Sequence, residues 1–324
     1  MYYIIVNPSS KSGKGVKTWK KLELILNEKG IEFQVFASGG PGDITRIVRN
    51  LCTEHLKDDN DSIIKLIVLG GDGTFNEALQ GVSDFSRVHI GYIPNGSSND
   101  LARDLAFPKD PVECLENIIN CTTPYLMDLG CLKYDATSTE LSALHDECIS
   151  GTRYFNVSTG IGYDAAVCEE ALVSPIKKVL NKFGLGKLVY LCIALKQLLT
   201  TKGYTCKITL DDDMSIEIPE FMFVACMIHR YEGGGFMFAP DADHKDGVLD
   251  LCLVGNIGKF TILRALPTAL KGKHFKYKGV DKHTAKSVHI ETSLPCWVHT
   301  DGEVTMKSSS VTITCEKEAI RLLK

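Results

Sequence analysis

The sequence predicts a Rossmann-like open α/β domain over residues 1–123, followed by an antiparallel β-sandwich domain over 124–311, with the site in the cleft between them. Three observations predict it. Short apolar runs alternate with amphipathic stretches through the first 107 residues. One run, Ile63–Leu69 (IIKLIVL), is apolar almost throughout, as a strand buried on both faces of a parallel sheet must be. After Pro124, strand signals follow one another closely with turn residues between them.

Tyr2–Val6 (YYIIV) reads as the first strand. Residues 16–28 carry Val16, Trp19, Leu22, Leu24, Ile25 and Leu26 at helical spacing. Phe33–Ala37 is the second strand, and Gly42-Asp43 introduces a helix over 43–57. Ile63–Leu69 and His89–Ile93 are the third and fourth strands, with helices at 101–105 and Val112–Asn120 closing the unit. Strands separated by helices of this length imply βαβ units with right-handed crossovers. In the second unit, strands are expected around Tyr125–Leu132, Arg153–Thr159, Thr205–Leu210, Phe221–Ile228, Val248–Val254, Ser287–Ile290, Cys296–His299 and Val311–Thr314. Helices are expected at 162–174, 186–200 and 259–270.

The 324 residues are 44% hydrophobic and 23% charged, enough apolar material for two cores. A net charge of −4 lacks the basic excess of a nucleic-acid protein, so no nucleic-acid partner is expected. Twelve cysteines are scattered singly with no C-x-x-C pair, which reads as buried reduced thiols of a cytoplasmic protein. MYYIIVNP has no basic n-region or export-length apolar stretch, and no run of about 18 apolar residues occurs, so neither export nor a spanning helix is expected.

The chemistry concentrates in three turns that follow strands. Gly70-Gly71-Asp72-Gly73-Thr74 stands between the buried third strand and a helix. Glycines there let backbone N–H groups approach an anion, and the helix directs its positive end at the same point. Thr74 adds a hydroxyl, and Asp72 a carboxylate where a phosphate-bound Mg²⁺ needs an oxygen. The turn is neither a Walker loop nor G-x-G-x-x-G. A capped strand-to-helix turn is the plainer reading of a lone GGDG. Two further polar turns, Asn7–Gly15 and Ile93–Asp100 (IPNGSSND), fall at the same sheet edge, and together the three describe a nucleotide cleft.

With GGDGTFNEAL followed by IPNGSSNDLAR, the chain resembles the diacylglycerol kinase catalytic-domain family, which includes bacterial soluble lipid kinases and sphingosine and ceramide kinases. Later segments NVSTGIGYDAAV (156–167), FAPDADHKDGVLDL (238–251) and HTDGE (299–303) resemble blocks of the bacterial members. The resemblance implies an ATP- and Mg²⁺-dependent kinase acting on a lipid hydroxyl, with diacylglycerol the first expectation. It implies ATP contacts from Gly70, Gly71, Asp72, Gly73, Thr74, Phe75 and Asn76, from Ser97 where the family has threonine, and from Ser38, Asn7 and Ser9. It assigns catalysis to Asp301 and Glu303, one as base and the other as orienting or Mg²⁺-binding group, without saying which. Taken alone, Asp301-Gly302 reads as a hairpin turn. A structural Mg²⁺ is implied at the Asp246 carboxylate with the carbonyls of Asp243 and Val248, against a plain Asp-Gly turn. The segment from about 312 to 324 is implied to return to the first domain.

Lysines and apolar residues in 175–202 and 271–286 are consistent with transient contact at the inner membrane face, although a packed helix with a solvated basic side is the commoner use of that pattern. An exposed edge strand would allow a homodimer. The rival readings are an NAD kinase-like or other GGDG-type kinase, and a catalytically silent nucleotide- or lipid-binding regulator.

Overall fold

The computed structural model describes residues 1–57, 62–142, 151–173, 193–198 and 203–324. The first unit is a parallel sheet in which β1 (Tyr2–Val6) lies between β2 (Phe33–Ala37) and β3 (Ile64–Gly70), and β4 (Val88–Pro94) pairs with β3. Alternate residues of a strand point to opposite faces, and here both faces are covered. Ile5, Leu66, Val68 and Tyr92 pack with α3 (Asp43–His55) and α4 (Asp72–Leu79). Ile4, Val6, Ile67, Leu69 and Ile93 pack with α2 (Gly15–Glu28) and α6 (Pro111–Asn120). Double coverage is the physical reason β3 carries no polar alternation. Two short helices complete the strand-to-helix turns: α1 (Ser10–Gly13) and α5 (Asp100–Asp104).

The second unit contains β5 (Tyr125–Leu141), β6 (Thr152–Phe155), β7 (Ser158–Gly162), α7 (Tyr163–Val173), β8 (Tyr204–Leu210), β9 (Met214–Met227), β10 (Leu249–Gly255), α8 (Lys259–Ala269), β11 (Val280–Ala285), β12 (Ser287–Thr300) and β13 (Glu303–Leu323). Its strands pair antiparallel, around a core that includes Ile161, Phe221, Val224, Leu251, Val288, Val298 and Ile313.

Several elements differ from the sequence expectation. Ser287–Ile290 and Cys296–His299 are one strand, β12, whose register breaks between Glu291 and Cys296, where Pro295 cannot donate to the ladder. Arg153–Thr159 divides into β6 and β7. β11 occupies part of the basic stretch 271–286. Residues 193–198 are helical, while the rest of the 186–200 helix and most of the basic segment 175–202 lie outside the described residues.

The largest difference is β13. Expected as four residues, it runs for 21, roughly 70 Å at the rise of an extended chain. It begins antiparallel to β12 with Glu303 opposite Thr300, continues along β5, and ends with Arg321–Leu323 in parallel register with His89–Gly91 of β4. One strand therefore belongs to both units. Among the described residues the ten cysteines are free, and no helix is long and apolar enough to cross a membrane.

Leu322 is fully buried on this junction, in register with Ile90 and within the first unit's core. Leu322→Ala is expected to cost about 2–5 kcal/mol in denaturant unfolding. A loss below about 1 kcal/mol would show that the strand's end is not part of the cooperative core.

Candidate active site

Three turns meet at the carboxyl edge of the parallel sheet. β3 runs into Gly70 and Gly71, and Asp72 opens α4. The absence of side chains on these glycines is a packing requirement. A Cβ on Gly70 would lie 2.4 Å from Thr74, and one on Gly96 would lie 2.5 Å from the Cα of Gly71. The turns after β3 and β4 thus touch backbone to backbone, and Asn95 N–H donates to the Gly70 carbonyl at 2.6 Å. The turn after β1 is fastened to the same point. Asn7 Nδ2 donates to Thr74 Oγ1 at 2.9 Å, and Asn95 Nδ2 donates to Ser10 Oγ at 2.7 Å. The N–H groups at the start of α4 have no partner within the helix and point toward this edge, which is an anion-binding arrangement.

The expected contact residues divide by placement. Gly70, Gly71, Asp72, Gly73 and Thr74 form the turn itself, while Phe75 is buried in the core beneath it. Ser97 is exposed on the neighbouring turn, next to Gly96. Ser9 is exposed at the start of α1, and its N–H is held by Asn7 Oδ1. Ser38 follows β2, with its N–H on the Val6 carbonyl and its hydroxyl on the Gly40 carbonyl. Glu77, just beyond the glycine turn, accepts from Ile44 N–H and caps α3; burial raises its carboxyl, and nearby Glu303 raises it further.

Opposite this edge stands the hairpin joining β12 to β13. Asp301 and Gly302 have φ of 49° and 82°, the two positive values a tight two-residue hairpin turn requires. The Asp301 carboxylate accepts five hydrogen bonds, from Asn76 Nδ2, Asn156 N–H, Asn156 Nδ2, Val157 N–H and Ser158 N–H, at 2.8–3.0 Å. Burial pushes its carboxyl upward, and these donors oppose that rise. Glu303 lies two residues on. A Cβ on Gly73 would sit 2.4 Å from Glu303 Oε1, so the Glu303 carboxylate rests directly against the glycine turn. The structure brings Gly73, Asn76, Asp301 and Glu303 together.

Asp72 completes the acidic side. Its Oδ2 accepts from Asp100 N–H at 3.2 Å, and its Oδ1 is buried without a hydrogen-bond partner. Burial, with Asp100 and Asp301 close by, pushes the carboxyl up to about 7. A buried carboxylate oxygen with no donor, crowded by two other carboxylates, fits a divalent cation. Asp100, itself buried, accepts from Gly234 N–H and Arg103.

The second expected metal position lies on the loop before β10. Asp246 Oδ1 accepts from Val248 N–H at 3.0 Å, and Asp243 O accepts from Asp246 N–H at 3.3 Å. Buried Asp128 closes the loop by accepting from Gly247 N–H and Glu318 N–H. Burial raises the Asp246 carboxyl, Asp243 and Asp128 raise it further, and the Val248 N–H and Lys317 oppose the rise.

Several residues of the site carried no sequence signal. Gln80 pairs with both backbone groups of Tyr154, at 2.8 and 3.0 Å, and fastens α4 to β6. Arg153 donates to Thr300 and Asn76 beside the acidic groups. His299, fully buried, places Nε2 3.1 Å from Asp164 and 3.2 Å from Glu232, while its Nδ1 accepts Gly302 N–H. That acceptance fixes the Nε2–H tautomer, and burial pushes Glu232 up to about 7. Buried Asp104 binds His229 at 2.7 Å and Arg230 at 2.6 Å, and the His229 ring stacks on His244 of the Asp246 loop. The block around HTDGE hinted at His299. The others needed the fold.

Residues 1–130 match the model of the diacylglycerol kinase catalytic domain, and residues 157–324 match the YegS C-terminal NAD kinase beta sandwich-like domain. A Bacillus subtilis protein provisionally named a lipid kinase, YtlR, is 28% identical over 94% of this chain and 93% of its own length. A Mycobacterium tuberculosis diacylglycerol kinase is 26% identical, covering 89% of this chain and 84% of its own. A solved structure named as a diacylglycerol kinase from Bacillus anthracis superposes with a TM-score of 0.66 at 22% identity, over 99% of this chain and 96% of the other, and shares the fold.

The raised Asp72 carboxyl has a stability consequence. Its folded value, about 7, exceeds the ordinary 3.8, so its stabilising share is present below about pH 4 and lost as pH rises through 7. Asp72→Asn, which keeps an acceptor for Asp100 N–H, is expected to stabilise the ligand-free protein. The gain should grow between about pH 4 and 7 and level off above, on the order of 2–4 kcal/mol. Thermal melts across that range check it, and a gain independent of pH would contradict the assignment.

Proposed function

Because the chain belongs to the diacylglycerol kinase catalytic-domain family, we propose that it transfers the γ-phosphoryl group of ATP, with Mg²⁺, to a hydroxyl of diacylglycerol or a closely related lipid alcohol, using Glu303 as base. It is a phosphotransferase of the lipid kinase type. The observation that carries the finer reading is the Glu303 carboxylate lying against Gly73 of the phosphate-type turn.

Backbone N–H groups at the start of α4, with the Thr74 hydroxyl beside them, hold the terminal phosphates. Asn7, Ser9, Ser38 and Ser97 lie on the turns around that position and supply the remaining polar contacts. The lipid hydroxyl oxygen attacks the γ-phosphorus from the Glu303 side. A new O–P bond forms as the bond to the bridging oxygen of ADP breaks, and the hydroxyl proton passes to Glu303. Asp301 is less suited to take that proton, because its two oxygens already accept five hydrogen bonds. Its part is to hold the hairpin in place. Asp72, with Asp100 behind it, would provide the oxygen for Mg²⁺, and the ion would supply charge neutralisation on the phosphates. The Asp246 carboxylate, with the carbonyls of Asp243 and Val248, would hold a structural Mg²⁺ on the loop packed through His244 against His229.

The test uses radiolabelled ATP against diacylglycerol, a sphingoid base, ceramide and NAD, with and without Mg²⁺. Mg²⁺-dependent labelling of diacylglycerol is expected. Labelling of NAD alone, or ATP binding with no labelled product, would overturn the proposal. Glu303→Gln is expected to lower kcat about 10²–10⁴-fold with an unchanged melting temperature. Asp301→Asn should lower both kcat and melting temperature, because its amide turns N–H toward backbone donors. Near-normal turnover in Glu303→Gln would remove Glu303 as base.

A further inference from the structure

Helix α8 buries Ile262, Ala265 and Ala269 and leaves Phe260, Leu263, Pro267 and Leu270 on the outside. Phe260 is 66% exposed and Leu270 51% exposed, and the spacing of three, four and three residues sets all four on one stripe. Exposed large apolar side chains grouped in this way need an explanation that scattered ones do not.

The charge around the stripe indicates what covers it. Between Ile257 and Val280 the chain has Lys259, Arg264, Lys271, Lys273, Lys276 and Lys278 and no acidic residue, within a protein whose net charge is −4. All six cations are exposed, and Arg264 lies over the Phe260 ring at 4.5 Å. An exposed apolar stripe on a segment that carries cations and no acid is the pattern of a helix lying in the interface of an anionic bilayer.

The position of α8 relative to the cleft agrees. Its last residue, Ala269, accepts from Met237 N–H at 2.9 Å, and three residues earlier Gly234 N–H donates to Asp100 at 2.7 Å. One short segment thus joins the end of α8 to the turn beside Asp72.

We propose that the Phe260–Leu263–Leu270 face of α8, with its rim of cations, seats the protein on anionic phospholipid membrane and brings the cleft to the surface where its lipid acceptor resides. This rests on the lipid-kinase reading for its purpose but is tested without it.

Binding is measured by flotation with phosphatidylglycerol–phosphatidylcholine vesicles and with phosphatidylcholine alone, in the absence of ATP and diacylglycerol. Wild type is expected to bind the anionic vesicles at least about tenfold more tightly, with binding falling as salt rises. Phe260→Ser with Leu263→Ser should weaken that binding at least about tenfold. Lys271→Gln with Lys273→Gln should weaken it by roughly fivefold per cation. Melting temperatures should not change, since these side chains are exposed. Equal binding to both vesicle types, or unaltered binding by the Phe260/Leu263 variant, would overturn the proposal. So would sedimentation showing a wild-type dimer that this variant dissolves, because a second copy of the chain would then be the occupant. Failure of the kinase reading shows separately, as absence of phosphorylated product from a short-chain, water-dispersed acceptor. The variants should turn that acceptor over like wild type.

Discussion

The carboxylate of Asp301 is the constraint on which the site depends. Its five donors come from two places: Asn76 on α4 of the first unit, and the Asn156–Ser158 backbone with the Asn156 side chain, leading into β7 in the second. A buried acceptor with this many donors costs several kcal/mol to break, because each N–H would be left unpaired. The hairpin therefore cannot drift, and Glu303 is held where the first unit's glycine turn begins its helix. Gln80, bonded to both backbone groups of Tyr154, adds a second fastening between α4 and the sandwich.

β13 makes that arrangement durable over a longer range. It starts at Glu303 and ends paired with β4, so the residue facing the turn and the sheet carrying the turn share one continuous strand. Around this frame the site collects Asp72, Asp100, Asp301 and Glu303, with Arg153 as a nearby cation. Burial raises the Asp72 carboxyl most, and the neighbouring Asp100 and Asp301 carboxylates add to that rise.

Much of the first unit was legible because its physics is local. β3 is apolar because both faces are covered, and Gly70–Thr74 is glycine-rich because side chains there would meet Thr74, the Gly96 backbone and Glu303. β13 was not legible. Its Ser308–Ser310 and Glu316–Glu318 stretches interrupt any period-two pattern, and it is extended because β12, β5 and β4 bracket it in turn. Asp301-Gly302 illustrates both sides. The hairpin turn is present in the backbone, while the donors that converge on the Asp301 carboxylate come from segments that no local pattern foretold. Glu77, adjacent to the motif in sequence, caps α3 while staying near Glu303, which spacing alone could not reveal. Gln80, Arg153, Asp164, Glu232 and His299 come from separate segments that only folding brings together.

The most direct measurement is a double-mutant cycle on kcat between Gly73→Ala and Glu303→Gln. If the glutamate acts against the backbone at Gly73, a methyl there displaces the same carboxylate that the glutamine disables, and the two losses should overlap almost completely. Losses that multiply would mean the two residues act independently, and the face-to-face arrangement of turn and carboxylate would not be the working site.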